Sequence, residues 1–205
     1  MTDTACAGVI LAGGLARRMG GGDKGRLVIG GQPMLARVIA RLAPQVQALA
    51  LNANGDAARF DDLGLPVLPD SLPDHPGPLA GVLAGMDWAA AQGFDAIVTA
   101  AADTPFFPPD LARRLHAAAG PKGLALAGSD DADGVMRRQP TFGLWPVALR
   151  DDLRAALNSG LRKVVIWTEA HQAGLAGWPS DPYDPFFNVN TPDDLDRANE
   201  MAGLT

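Results

Sequence analysis

Short apolar runs recur along the first half of the chain and alternate with segments of helical periodicity. Residues 7–12 and 96–101 form two such runs, and a length of about four to eight residues is typical of buried strands. In segments 33–42 and 78–91 the apolar residues recur at intervals of three and four, which predicts helices that begin at prolines. This alternation predicts an α/β protein with a Rossmann-like, three-layer α/β/α fold around a mostly parallel, twisted sheet.

The rest of the chain predicts further elements less regularly. They are strands at 46–51, 124–126 and 141–145 and helices at 56–63, 108–115 and 147–157. Residues 130–138 predict a polar loop, and 162–167 are compatible with a strand or a helix. Thr191-Pro192-Asp193-Asp194 predicts a capped final helix. Because no repeat or long linker divides the sequence, we expect a single domain over residues 1–205.

Composition and charge exclude several classes of protein. The chain of 205 residues has a formal net charge of −6 and no basic tract of the kind that binds nucleic acid. Its longest apolar stretches reach about half of the roughly 20 residues that a membrane-spanning helix needs, and its first residues lack the pattern of a signal peptide. Cys6, the single cysteine, excludes an intrachain disulfide. We therefore expect a cytoplasmic protein with neither membrane nor nucleic-acid partners.

A glycine-rich loop with basic side chains follows the first predicted strand. Gly13 and Gly14 open the loop, and Arg18 and Lys24 lie within it. Glycines let backbone N–H groups approach phosphate oxygens, and the cations offset phosphate charge. The loop matches neither the dinucleotide-binding pattern nor the Walker pattern. Lysine occurs at only three positions of this arginine-rich chain, which favours a specific role for a compact ammonium group here. A surface loop without a ligand is the alternative.

Two further polar clusters follow predicted strands directly. Asn52 and Asn54 follow the second strand, and Asp103 follows the apolar run at 96–101. Because ligands of open α/β sheets bind beyond the carboxyl ends of the strands, we expect both clusters to meet Lys24 at one edge. A single carboxylate there suits Mg²⁺, which completes its shell with water and phosphate oxygens. The alternative is that Asp103 forms a turn with the Thr-Pro that follows it.

Several short motifs together carry a resemblance that extends along nearly the whole chain. They are Leu11-Ala12-Gly13-Gly14, Arg18-Met19-Gly20, Asp23-Lys24-Gly25, Asn52-Ala53-Asn54, Asp70-Ser71, the segment 76–81, Asp103-Thr104-Pro105 and Asn188-Val189-Asn190-Thr191-Pro192. The set resembles that of the molybdenum cofactor guanylyltransferases, a branch of the nucleotidyltransferases. Relatives that use CTP usually have Ala-Gly where this chain has Gly13-Gly14, so the resemblance favours GTP.

The resemblance implies a single nucleotidyltransferase domain that transfers GMP from GTP to the molybdopterin form of the molybdenum cofactor and releases pyrophosphate. It implies catalytic roles for Lys24, Asp103 and Arg18, with Asp103 as the ligand of a Mg²⁺ cofactor. The implied nucleotide-site residues are Leu11, Ala12, Gly13, Gly14, Lys24, Asn52, Asp70, Gly77, Gly81, Asp103, Asn188 and Asn190. Among them, Asn52 and Asp70 would hold the guanosine, and the two later glycines would let the backbone approach the base. Turn-forming roles are the alternative for Asp70 and for both asparagines of the last motif.

The acceptor side is less well defined by the sequence. Arg137, Arg138, Arg162 and Lys163 are candidates for a surface that binds the molybdopterin phosphate, although solvated surface charge explains them more simply. Transient contact with molybdoenzymes or their chaperones would follow from the lability of the cofactor. Two other functions remain open: a related nucleotidyltransferase that uses CTP or a sugar-phosphate acceptor, and a nucleotide-sensing module without catalysis.

Overall fold

The first apolar run forms the strand around which the rest of the fold is arranged. The computed structural model describes residues 5–12, 24–72, 77–131 and 133–203. Strand β1 (Cys6–Leu11) is buried along its whole length. Its alternate side chains belong to different apolar clusters: Ile10 packs with one and Val9 with the other. A strand that is apolar on both faces needs a layer of helices on each side.

A seven-stranded sheet lies at the centre of the described residues. In chain order the strands of the molecule are β1, β2 (Val28–Ile29), β3 (Gln32–Pro33), β4 (Leu49–Asn52), β5 (Val67–Leu68), β6 (Ala96–Ala101), β7 (Ala125–Asp130), β8 (Met136–Pro146) and β9 (Gly174–Trp178). The large sheet has the order β5-β4-β1-β6-β8-β7-β9, and only β8 pairs in the antiparallel direction. Strands β2 and β3 form a separate hairpin.

Helices cover both faces of the sheet. They are α1 (Met34–Leu42), α2 (Pro78–Ala91), α3 (Leu111–Ala118), α4 (Arg150–Asn158), α5 (Val164–Ala170) and α6 (Pro192–Ala202). The apolar sides of α1 and α3 pack in one cluster, and those of α2, α4 and α5 pack in the cluster on the opposite face. The expected α/β fold, a mostly parallel sheet between two helical layers, is confirmed.

A third apolar cluster attaches the end of the chain to the hairpin. Ile29 of the hairpin and Met201 of α6 pack with Phe106 and Val189. Val189 is fully buried, whereas Asn188 and Asn190 on either side of it are exposed. This alternation turns both asparagine side chains away from the cluster, as their spacing in an extended segment requires.

The segment predicted as a polar loop at 130–138 is instead the tip of a β-hairpin. Strand β7 continues to Asp130 and β8 already begins at Met136, so Arg137 and Arg138 lie in a strand. The Asp131 carboxylate accepts hydrogen bonds from the backbone N–H groups of Asp133 and Val135 at 3.0 and 2.9 Å, which closes the turn. An antiparallel strand with an exposed end can carry polar residues, and for that reason its composition resembled a loop.

Other differences concern short elements. Strand β4 begins at Leu49 rather than at 46, and residues 57–63 form a 3₁₀ segment capped by Asp56. The ambiguous run at 162–167 is helical from Val164 onward, where helix α5 begins. Strand β9 was not predicted, since a five-residue segment with two glycines has little strand character. No helix in the described part of the chain is long and apolar enough to cross a membrane.

Candidate functional site

A cavity of about 500 Å³ opens at the carboxyl ends of β1, β4, β5 and β6. Its polar lining comes from Lys24, Asn52, Asn54, Asp70, Asp103 and Thr141. Apolar parts of the wall include Leu11, Met34, Leu35 and Phe60. The described parts of the three polar clusters therefore converge on one space, as the topology predicted.

Lys24 and Asp103 form an ion pair in this cavity. The distance from Lys24 Nζ to Asp103 Oδ2 is 2.8 Å, although the residues are 79 positions apart. The lysine also donates to Asn190 Oδ1 at 2.6 Å. The side chains of the ion pair are 14% and 31% exposed, respectively, so both remain accessible from the cavity. A cation and a carboxylate that share the same wall can bind a phosphate group and a metal ion side by side.

Thr104, for which no role of its own was predicted, joins Asp103 to the segment at 188–190. It is fully buried, and its hydroxyl lies 3.3 Å from Asp103 Oδ1 and in contact with Asn188 Oδ1. The backbone is tied as well, because Val189 N–H donates to the Asp103 carbonyl at 2.9 Å. The only signal for this role in the sequence is a threonine that directly follows the carboxylate at the end of an apolar run.

The start of helix α6 holds Asn190 in place. Asp194 Oδ2 accepts from the backbone N–H groups of Asn190 and Thr191 at 2.9 and 2.8 Å, and Thr191 caps the helix in return. The pKa of Asp194 lies below its usual range, chiefly because its carboxylate accepts a hydrogen bond from the Asn190 backbone. Hydrogen bonds from Thr191 and the charge of Lys24 also lower this pKa, whereas burial of the carboxylate raises it. The capping box predicted from the sequence is thus present, and it adjoins the site.

Asp70 is held by two asparagines at another part of the cavity. Asn52 Nδ2 donates to Asp70 Oδ1 at 3.0 Å, and Asn54 Nδ2 donates to Asp70 Oδ2 at 2.8 Å. Asn52 is only 4% exposed and uses its amide group also on the Leu68 carbonyl, at 3.0 Å. Asn52 therefore supports Asp70, and Asp70 is the group with acceptor capacity left for a ligand.

The two later glycines of the predicted site have different positions. Gly77 lines the cavity and precedes α2 with a φ of +127°, a conformation that L side chains rarely adopt. Gly81 lies within α2, where an added Cβ would overlap Asn52 Oδ1. Gly81 thus provides the space that Asn52 occupies.

The turn after β1 is only partly described. Leu11 and Ala12 line the cavity, but Ala12 N–H already donates to the Asn52 carbonyl at 2.8 Å. Gly13, Gly14 and Arg18 lie outside the described residues.

The donor set near Asp103 fits a hard divalent cation. Its carboxylate is partly exposed to the cavity, and Mg²⁺ takes oxygen ligands from one or two carboxylates together with phosphate and water. Within the described ranges no group of three or more histidine, cysteine or acidic side chains forms a ready metal cage. A cation here would therefore depend on oxygens of the substrate.

The basic residues proposed for the acceptor surface are engaged within the molecule. Arg137 pairs with Asp131 at 2.7 Å, and Arg138 pairs with Glu169 at 2.8 Å. Arg162 donates to the Leu157 and Leu161 carbonyls, and Lys163 is exposed. These contacts account for the three arginines without an acceptor ligand.

Comparison with known proteins identifies the family to which the chain is similar. The family model described as a MobA-like NTP transferase domain matches residues 8–173. The chain belongs to the MobA-like NTP transferase family. A molybdenum cofactor guanylyltransferase of a Bradyrhizobium strain is 51% identical to this MobA-like chain over 208 residues, which covers 99% of the chain and 96% of the relative. A protein of the same name from Cereibacter sphaeroides is 52% identical over 194 residues, with 95% of each covered.

Solved structures support the fold of this MobA-like transferase. The molybdopterin-guanine dinucleotide biosynthesis protein A from Archaeoglobus fulgidus superposes with a TM-score of 0.70 at 24% identity, covering 97% of this chain and 100% of that one. A likeness at this identity shows the shared fold alone.

Proposed function

We propose that the chain is a molybdenum cofactor guanylyltransferase, which transfers GMP from GTP to the molybdopterin form of the molybdenum cofactor and releases pyrophosphate. Relatives with that name share about half of their residues with the chain over nearly their full length. The observation that carries the proposal is the cavity, in which the Lys24–Asp103 pair and the supported Asp70 carboxylate lie along one sheet edge.

The order of the strands separates these two polar groups. Asp70 follows β5 and Asp103 follows β6, and β4 and β1 lie between those strands. Neighbouring strands are about 4.8 Å apart, so the two strand ends are about 14 Å apart. This separation suits a nucleotide whose base lies near Asp70 and whose triphosphate lies near Lys24.

In the proposed reaction the terminal phosphate of molybdopterin attacks the α-phosphorus of GTP. A new oxygen–phosphorus bond forms, the bond from the α-phosphorus to the bridging oxygen breaks, and pyrophosphate departs. A phosphate monoester dianion is already a nucleophile near neutral pH, so no side chain has to act as a general base. The contribution of the protein is to position the reacting groups and to neutralise their charge.

Lys24 would neutralise phosphate charge with its ammonium group, which Asp103 and Asn190 orient. Asp103 would hold the Mg²⁺ ion, and Thr104 would keep the carboxylate in place. When bound, the ion would supply Lewis-acid stabilisation of the phosphate oxygens. The wall of the cavity around the nucleotide would be formed by Leu11, Ala12, Gly77 and Asn52. Roles for Gly13, Gly14 and Arg18 stay predictions from the sequence, as do the contacts with molybdoenzymes or chaperones and a cytoplasmic location.

The proposal is tested by measuring pyrophosphate release with GTP or CTP in the presence of Mg²⁺ and molybdopterin. We expect GTP to be preferred, and we expect Lys24→Ala and Asp103→Ala each to lower the rate by about two orders of magnitude or more, because each removes charge stabilisation at the transferred phosphate. Lys122→Ala, which changes an exposed lysine of the same chain, serves as the control and should retain full activity.

Two outcomes would contradict different parts of the proposal. A preference for CTP would exclude the guanylyl assignment while leaving the family and the charge-based mechanism intact. Full turnover by both cavity variants would exclude the mechanism.

A further inference from the structure

Asn54 makes a reciprocal pair of hydrogen bonds with Asp70. Its Nδ2 donates to Asp70 Oδ2 at 2.8 Å, and its Oδ1 accepts from the Asp70 backbone N–H at 2.9 Å. The backbone carbonyl of Asn54 in turn accepts from an Arg59 guanidinium nitrogen at 2.7 Å. One exposed side chain therefore fixes both the backbone and the carboxylate of Asp70.

The two asparagines leave a defined acceptor surface on Asp70. An ionised carboxylate has about four lone-pair sites and no proton to donate. Asn52 takes a site on Oδ1 and Asn54 takes a site on Oδ2. The carboxylate lines the cavity, and each of its oxygens can still accept a hydrogen bond from a ligand. A ligand that matches this surface must present two donors side by side.

Nucleobases differ in this respect. Guanine presents its ring N1–H and its 2-amino group as adjacent donors, and hypoxanthine presents the ring N–H without the amino group. Cytosine presents one amino donor next to an acceptor nitrogen, which a carboxylate would repel. A carboxylate that is held in one orientation distinguishes these bases better than one that can rotate. When the base lacks a donor, a fixed carboxylate oxygen stays without a hydrogen bond, whereas a rotating carboxylate can turn that oxygen to another donor.

We propose that Asn54 is a positioning residue for base selection: it locks the Asp70 carboxylate in the plane that accepts the paired donors of guanine. This inference rests on the proposed function, since it assigns the base of the triphosphate to the Asp70 part of the cavity. Asn52 cannot replace Asn54 in this role, because it is buried, holds only Oδ1 and is confined by Gly81.

Two variants of Asn54 separate orientation from simple loss of contact. Asn54→Ala removes both bonds to Asp70. Asn54→Asp keeps the side-chain size and an acceptor for the Asp70 N–H but places a negative oxygen against Oδ2, which turns the carboxylate away. Asn158→Ala makes the same chemical change at the exposed end of α4 and is the matched control.

The experiment measures the equilibrium affinity of the full chain for GTP, ITP, CTP and 2′-deoxy-GTP by calorimetry, with thermal melting of every variant recorded in parallel. For the unaltered chain we expect GTP to bind about tenfold or more tightly than ITP, since one hydrogen bond to a charged group is lost. In both Asn54 variants we expect this GTP-to-ITP ratio to fall to about threefold or less, while melting stays cooperative and the ratio of GTP to 2′-deoxy-GTP stays unchanged.

The outcomes distinguish this inference from the proposed function. A GTP-to-ITP ratio that is the same in the unaltered chain and in both Asn54 variants, with GTP still preferred, would overturn the role of Asn54 alone. Equal binding of GTP, ITP and CTP by the unaltered chain would overturn the assignment of the base to Asp70, and with it the nucleotide assignment of the proposed function. A GTP-to-ITP affinity ratio that falls in the Asn158→Ala control as well would also overturn the inference, because the effect would not be specific to the site.

Discussion

Asp103 has a polar neighbour on each carboxylate oxygen: Lys24 on Oδ2 and Thr104 on Oδ1. Both atoms are fixed by the protein before any substrate arrives, which lowers the cost of ordering them during the reaction. The identities of Lys24 and Asp103 could be predicted, because a lysine in a glycine-rich loop and a carboxylate at a strand end are local signals. Their convergence at one edge of the sheet could be predicted as well, but the direct ion pair could not, because it joins side chains that are 79 positions apart in the chain.

Replacing Thr104 tests this arrangement at the level of one hydroxyl group. Thr104→Val keeps the shape of the buried side chain but removes its link to Asp103 and Asn188. We expect the kcat/KM for pyrophosphate release to fall by about threefold to tenfold, because the single hydroxyl proton lies between two acceptor oxygens and a hydrogen bond contributes about 0.5–1.5 kcal/mol. Steady-state kinetics and urea unfolding are measured on the same preparations.

Thr104→Ser is the partner variant for this comparison. It retains the hydroxyl and loses a buried methyl group, so we expect near-normal kinetics with a stability loss of about 1 kcal/mol. Equal activity of the valine variant and the unaltered chain would show that the hydroxyl has no part in the reaction.

At the scale of elements, helix α6 connects the end of the chain to the site. Its capping box could be predicted from Thr191-Pro192-Asp193-Asp194 alone, since it depends only on local spacing. The contact between Asn190 and Lys24 depends on tertiary packing of Val189 and Met201 against the hairpin, which has no local signal. The same limit explains the missed strand β9 and the polar-looking start of β8, both stabilised by neighbouring strands rather than by their own composition.

The Asp194 cap gives a prediction for the dependence of stability on pH. Hydrogen bonds from the backbone of Asn190 and from Thr191 lower the pKa of the folded carboxyl. Because the pKa of this carboxyl is lower in the folded state than in the unfolded state, its ionised form stabilises the fold at any pH above the unfolded-state pKa of about 4. This stabilisation is lost as the pH falls through the folded-state pKa. We therefore expect Asp194→Asn to be less stable than the unaltered chain at pH 7 and the difference in the free energy of unfolding to narrow as the pH falls below about 4.

Urea unfolding followed by circular dichroism across that pH range checks the prediction. Asp193→Asn, at an exposed position one residue earlier, is the control and should show little pH-dependent difference. A gap between Asp194→Asn and the unaltered chain that stays constant down to pH 2 would exclude an ionised cap as its cause.

At the scale of the whole molecule, the order of the parallel strands determines the order in which the groups that line the cavity lie along the sheet edge. Asp70, the asparagines at the end of β4, Ala12 and Asp103 lie at the ends of successive strands along one edge. That much could be predicted from alternating strands and helices, because the carboxyl ends of parallel strands meet at one edge. Whether residues 1–205 act as one domain stays a prediction, as does the acceptor surface.

In the proposed reaction the α-phosphorus of GTP, with its guanosine, passes to the phosphate of molybdopterin. The most direct measurement follows two isotopic labels, one on the α-phosphate and one on the γ-phosphate of GTP, in reactions with Mg²⁺ and molybdopterin. We expect the α label in the guanine dinucleotide form of the cofactor and the γ label in pyrophosphate. Transfer of the γ label to molybdopterin, or its release as inorganic phosphate with the α label left in GDP, would contradict this reaction.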